Sequence, residues 1–158
     1  MLKFKKILYP TDFSHCAHQT FSYAIYLARK FQSELHMLNA IVLHDNNPHD
    51  PASLFPDINP IYDTLTERGQ KKMGEIKKSG NVADINIKKI IERGLAPAPV
   101  ILEYARENDI DLIVMGTHGH RGIRHFFLGS VTEDVVRFAE CSVLTVKEKK
   151  DSHASDSL

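Results

Sequence analysis

The chain has 158 residues, 42% hydrophobic and 25% charged, with equal numbers of basic and acidic side chains. That length supports one domain with a real core, and zero formal net charge gives no electrostatic case for nucleic acid or an anionic membrane. No apolar run approaches the roughly 20 residues of a membrane span, MLKFKKILYP lacks the apolar segment of a signal peptide, and Cys16 and Cys141 form no metal or redox spacing. A soluble, reduced, cytoplasmic protein is therefore expected.

In chain order, FKKILYPTD reads as a short buried strand ending in a turn at Pro10. Ser14 suits a helix N-cap, and Ala17, Phe21, Ala24, Ile25 and Ala28 recur at three- and four-residue steps on one helical face. A second strand is expected from about Leu35 to Val42. Residues 43–60 hold four prolines among Asn and Asp and read as a long loop. Ile61, Leu65, Met73 and Ile76 then suggest a helix, weakened by Gly69 and Gly74.

INIKKIIE alternates at first, as an edge strand with one wet face would, and Gly94 ends it. PAPVILEYAREN reads as a helix with its prolines near the start, where they are tolerated. IDLIVMG is almost wholly apolar, like a central parallel strand buried on both faces. Ser130 opens another helix and makes a capping-box pattern with Glu133. CSVLTVK is a last strand, and residues 148–158 read as a polar disordered tail after a domain spanning 1–147. Strands alternating with helices predict an α/β fold with a parallel sheet and helices on both faces, a three-layer sandwich. Ligands in such sheets sit beyond the carboxyl ends of the strands, where both PTD and GTHG fall.

The stretch GTHGHRGIRHFFLGS carries four of the chain's eight glycines between a strand and a helix. Such a loop presents backbone N–H groups without side-chain obstruction, and the helix start adds partial positive charge, so an anion fits there. Turn-shaping glycines and a capping serine are the alternative. The loop is neither a P-loop nor a dinucleotide fingerprint, because GxxxxGK[ST] is absent and GTHGHRG follows a late strand. His118 and His120 also come too late in the chain for a nucleotidyltransferase motif. Arg121 and Arg124, with those histidines, read as a solvated loop surface. His15, Cys16, His18, His44 and His49 lack ligand spacing for a metal, and neither Ser14 nor Cys16 has a visible base partner.

Gly116, two residues, Gly119, nine residues, Gly129 and Ser130 form G-x-x-G-x9-G-[ST]. This pattern, with ILYPTDFS, HMLNAI and LGSVTEDVVRFAECSVLTV, resembles the ATP-binding universal stress proteins over residues 3–147. The resemblance implies a sheet of order 3-2-1-4-5, a homodimer joined through the last strand, and bound ATP or a related adenine nucleotide such as AMP, with Mg2+ as a companion lacking a dedicated ligand set. It implies that Asp12 accepts hydrogen bonds from ribose hydroxyls, that Pro10 and Thr11 line the same end, and that the backbone of Ala40 faces the adenine. Gly116, Gly119, Gly129 and Ser130 would hold phosphates and ribose. Asn39-Ala40 stands where the family more often has His-Val, which bears on the adenine contacts. Cys141-Ser142 stands where Cys-Pro is commoner, away from the phosphates. A stress-response nucleotide sensor is the expected function, against a slow ATPase or self-phosphorylating protein and a nucleotide-free interaction module.

Overall fold

The computed structural model describes residues 3–42, 59–79, 82–118 and 128–148. Strand β1 (Lys6–Pro10) leads to helix α1 (His15–Phe31), strand β2 (Glu34–Val42) and helix α2 (Asn59–Ser79). Strand β3 (Ile87–Gly94), helix α3 (Pro97–Glu107), strand β4 (Leu112–Gly116), helix α4 (Ser130–Phe138) and strand β5 (Ser142–Val146) follow. The five strands form one parallel sheet in the order β3-β2-β1-β4-β5. The sheet order implied by the resemblance and the α/β class are both observed.

Two apolar layers sandwich the sheet, and strand alternation assigns each residue to one of them. On one side Ile7 and Tyr9 of β1, Leu35 and Met37 of β2, and Leu112 and Val114 of β4 pack with Phe21, Ala24, Ile25 and Ala28 of α1 and with Met73 and Ile76 of α2. On the other side Leu8, Leu38, Ile113 and Met115 pack with Ala98, Ile101 and Ala105 of α3 and Val135 of α4. The apolar runs in β1 and β4 exist because these inner strands are covered on both faces. Polar anchors set the strand ends. Asp111 Oδ2 accepts the Lys5 and Lys6 N–H groups at 2.6 and 2.9 Å, locking the start of β4 beside β1.

Three local differences from the sequence reading have simple causes. Helix α2 begins at Asn59, so the loop reading of 43–60 runs two residues too far; Pro60 is tolerated in the first turn, where no intrahelical donor is needed. Gly69 interrupts the apolar pattern of that helix because the helix crosses the sheet closely there: a Cβ on Gly69 would lie 2.9 Å from Ile91 Cδ1 and 3.1 Å from Asn39 Oδ1. Ile85 precedes β3 rather than starting it, yet it is buried in the α1–α2 layer. The edge position expected for β3 is observed. No helix among the described residues is long and apolar enough to cross a membrane.

Candidate functional site

Strands β1 and β4 are neighbours, but the chain leaves β1 towards β2 and leaves β4 towards β5. This is the point where the strand order reverses, and a crevice opens at the carboxyl ends of such strands. The two sequence stretches expected to bind a ligand leave from these two strand ends.

The β1 end is an ordered turn. Thr11, 6% exposed, gives its N–H to the Leu38 carbonyl at 2.8 Å. Its hydroxyl oxygen accepts from the Phe13 N–H at 3.1 Å and lies 3.3 Å from the Tyr9 hydroxyl. Its carbonyl accepts from Asn39 Nδ2 at 2.9 Å. Asp12 is exposed, and its Oδ1 accepts the Ser14 N–H at 2.9 Å. Ser14 Oγ in turn caps α1 by accepting the Ala17 N–H at 3.2 Å. Asp12 therefore shapes the entry to the helix, as aspartates after strands commonly do. Phe13 has φ of 63°, a left-handed conformation that is uncommon for a bulky residue. Its ring meets the Lys72 ammonium at 5.0 Å. Tyr9 donates to the Ala17 carbonyl at 2.6 Å, and burial raises its pKa well above the ordinary tyrosine value. It is a neutral clamp between β1 and α1.

The β4 end is tied to the start of α4. Thr132 Oγ1 donates to the Gly116 carbonyl at 2.9 Å, and the Thr117 carbonyl accepts the Gly129 N–H at 2.8 Å. Thr117 N–H also reaches the Val146 carbonyl at 3.0 Å, extending the β4–β5 pairing. The first intrahelical bond of α4 runs from Glu133 N–H to the Gly129 carbonyl at 2.9 Å. The amides of Ser130, Val131 and Thr132 precede that bond, at the positive end of the helix. Glu133, in the same turn, complements that charge from an exposed position.

The expected capping box does not form. Gly129 is the N-cap, with φ −62° and ψ 150°, and Ser130 is the first helical residue with an exposed side chain. A box would need Ser130 as the N-cap, and here Gly129 takes that place, with its N–H bonded to Thr117 and its carbonyl accepting from the Glu133 N–H. The glycines also divide. A Cβ on Gly116 would stand 2.6 Å from Cys16 Sγ and 3.3 Å from Thr20 Oγ1, so Gly116 serves the packing of α1 against β4. Among the described residues, a Cβ on Gly129 would meet the Thr117 carbonyl at 3.4 Å and His118 Cα at 3.7 Å, ordinary contacts, and its φ suits any residue. Backbone strain is thus no reason for that glycine. Gly119, His120, Arg121 and Arg124 lie outside the described residues.

Ala40 lies on β2 opposite Glu92, past Leu38, the last β2 residue paired with β1. It faces the α3–α4 side of the sheet, by alternation from Leu38. His118 completes the set. Its Nδ1 lies 3.0 Å from Thr117 Oγ1, and its Nε2 is buried with no hydrogen-bond partner among the described residues. In sequence this residue reads as loop surface, because nothing in its spacing distinguishes an inward ring from an outward one. A buried, unpartnered nitrogen beside a helix start is a place for a polar ligand atom.

Cavity volume alone does not mark this edge. A cavity of about 380 Å³ is lined by Phe13, His18, Lys72, Glu75 and Ile76, between α1 and α2, and a larger one of about 620 Å³ includes Arg29, Glu34 and Asp84 near the amino ends of the strands. Neither includes Gly116, Gly129 or Ser130. The described residues contain no group of three or more His, Cys, Asp or Glu that could hold a metal ion.

Residues 3–147 match the universal stress protein family. Universal stress protein MJ0531 of Methanocaldococcus jannaschii is 35% identical over 93% of this chain and 84% of its own. Universal stress protein MJ0577 of the same organism is 32% identical over 92% of this chain and 96% of its own. A solved structure of MJ0577 superposes with a TM-score of 0.76 at 33% identity, covering 95% of this chain and 100% of that one. A universal stress protein solved in complex with cAMP superposes with a TM-score of 0.60 at 26% identity, covering 92% of this chain and 98% of that one.

Proposed function

Because the chain belongs to the universal stress protein family, we propose that its carboxyl-edge site binds an adenine nucleotide, with ATP the first candidate and AMP or a cyclic nucleotide the others. The observation that carries this reading is the start of α4. A glycine N-cap, tethered to Thr117, leaves the Ser130, Val131 and Thr132 amides at the positive end of a helix, beyond the strand next to the Asp12 turn. An anion is stabilised by such amides and by the helix dipole together. The Nε2 of His118, buried and without a partner among the described residues, fits a polar ligand in the same place. The similar protein solved with cAMP supports an adenine ring on this fold.

In this reading Asp12 meets the ribose hydroxyls and the Ala40 backbone borders the adenine. Gly119, Gly129 and Ser130 border the phosphates, and Gly116 keeps the α1–β4 packing that brings the two strand ends together. A magnesium ion would be held mainly through the nucleotide's own phosphate oxygens. The protein then acts as a cytoplasmic stress-response sensor, whose nucleotide state changes its partner.

Turnover is expected to be slow. Fast phosphoryl transfer needs strong charge neutralisation and a positioned nucleophile. The loop has no P-loop lysine, and Ser130 presents only an exposed hydroxyl. Calorimetric titration with ATP, AMP and cAMP, and mass spectrometry of ligand released from fresh protein, test the binding. Stable binding of one of them with a kcat well below about 1 per second supports a sensor. Phosphate release near that rate, or labelling of Ser130, makes the protein an enzyme. Binding of none makes it a nucleotide-free interaction module.

A further inference from the structure

Asn39 is the residue whose side chain joins three elements at the candidate site. It sits on β2 opposite Ile91 of β3, one position past Leu38, the last residue that pairs with β1. Its Nδ2 donates to the Thr11 carbonyl at 2.9 Å, across 28 residues of sequence. Its Oδ1 lies 3.1 Å from where a Cβ on Gly69 of α2 would stand, just beyond Ile91 Cδ1 at 2.9 Å. Gly69 is buried and Asn39 is partly buried, so the amide group lies between the β1 turn and the helix backbone.

We infer that Asn39 is a positioning residue of the nucleotide site, which holds the Thr11–Asp12 turn in its ligand-facing geometry and couples that turn to α2. The inference rests on the adenine-nucleotide reading above. Two of the backbone bonds of the turn are made by the peptide chain and by Thr11 itself: Thr11 N–H to the Leu38 carbonyl, and Phe13 N–H to Thr11 Oγ1. The Thr11 carbonyl is held by Asn39. That carbonyl belongs to the peptide group that carries the Asp12 N–H. Rotation of this peptide moves the Asp12 Cα and carboxylate with it. Without that donor, the carbonyl of the buried Thr11 would turn towards solvent to recover a hydrogen bond. Asn39 does not touch the ribose and acts through Asp12. An added methyl at Gly69, 3.1 Å from Asn39 Oδ1 and 2.9 Å from the flexible end of Ile91, would press on the same amide and reach the ribose by the same route.

The test uses the full chain and three variants, Asn39→Leu, Asn39→Asp and Gly69→Ala, with ATP and 2′-deoxyATP as probes in calorimetric titrations. Asn39→Asp keeps the shape, removes the donor and sets an anion against the Thr11 carbonyl, so it reports even where the leucine variant does not fold. The parent is expected to prefer ATP over 2′-deoxyATP. The Asn39 variants should weaken ATP on the order of tenfold, the worth of about one hydrogen bond, while weakening 2′-deoxyATP less, so that the preference shrinks. Gly69→Ala should shift the preference in the same direction by a smaller factor. A folded variant at Asn39 that binds both nucleotides as the parent does overturns the inference, and so do equal losses for both with the preference unchanged, which a merely structural role would give. A parent that binds neither nucleotide overturns the adenine-nucleotide reading itself, and this inference with it.

Discussion

A methyl group on Gly116 would meet Cys16 Sγ at 2.6 Å, a separation that real Cβ atoms essentially never show, whereas one on Gly129 finds ordinary contacts among the described residues. Gly116→Ala should therefore cost about 1–3 kcal/mol, as overpacking does, and urea unfolding will measure it. Gly129→Ala should leave stability within about 0.5 kcal/mol, and Gly129→Val should still fold. The valine side chain would then stand over the amides of α4, so calorimetry should show ATP binding lost in a folded protein. ATP bound by folded Gly129→Val as tightly as by the parent would reduce the glycine loop to a structural turn. His36 carries a second prediction at this scale. It is 1% exposed, its Nδ1 is 2.8 Å from the Tyr104 hydroxyl, and its Nε2 lies 3.1 Å from Glu34 Oε1, a charge contact without hydrogen-bond alignment. Burial lowers its pKa, Glu34 opposes this, and Lys88 and Lys6 add to the lowering. The unfolded chain therefore takes up this proton first, near pH 6.5, and stability falls as pH drops through about that value. Glu34, lowered chiefly by its hydrogen bond from Lys88, loses its contribution at more acid pH still, below about 4.3, the usual glutamate value. The unfolding midpoint should fall between about pH 7.5 and pH 5.5, and His36→Gln, which does not titrate, should flatten that part of the curve. A parent curve that is flat there would contradict the assignment.

Helix α1 is held at the site by its cap and helix α4 by a strand carbonyl. Ser14 Oγ is the side-chain acceptor at the start of α1, while α4 begins at a glycine that has no side chain to cap with. Ser14→Ala should accordingly cost about 1 kcal/mol, and Ser130→Ala almost nothing in stability, by thermal unfolding. If Ser130→Ala costs as much as Ser14→Ala, the hydroxyl caps α4 after all. Thr132→Val removes the bond to the Gly116 carbonyl and keeps the side-chain shape. It should cost about 1 kcal/mol and also weaken nucleotide binding, because it loosens α4 from the strand that delivers the loop. The polar spacing that suggested a capping box around Ser130 and Glu133 arises here from first-turn residues of a glycine-capped helix. Spacing alone cannot separate those two arrangements, since both place the same residues one turn apart.

For the molecule as a whole, the sheet ends in β5, whose outer edge is unpaired among the described residues. Of the apolar residues in β5, Val146 is buried in the core and Val143 is half-buried against α3 and α4, but Leu144 is 37% exposed. Val136 and Phe138 at the end of α4 are 46% and 61% exposed. Exposed apolar edges recruit partners, and we propose that two copies of the chain pair through β5. Light scattering at micromolar concentration should give the mass of a dimer, and Leu144→Asp should give that of a monomer. A parent that is monomeric, or a Leu144→Asp variant of unchanged mass, removes this proposal.

Element order, the parallel sheet and the two-sided burial of the central strands were legible in the sequence, because apolar periodicity is a local property that each segment carries by itself. IDLIVM reads as a covered strand wherever it sits, and the spaced glycines of GTHGHRGIRHFFLGS mark a strand-to-helix loop without any knowledge of its neighbours. The family could be recognised from the same spacing. Only the folded chain decided what each of those residues touches. The Asn39–Thr11 bond spans 28 residues, the His36–Tyr104 bond 68, and the Cys16 contact with the Val146 carbonyl 130. Such partners meet only once the sheet has formed, and neither residue of a pair shows a periodicity that points to the other. For the same reason Gly116 and Gly129, equivalent as letters of one motif, separate into a packing glycine and a helix cap: the difference lies in Cys16 and Thr117, which the fold brings to them.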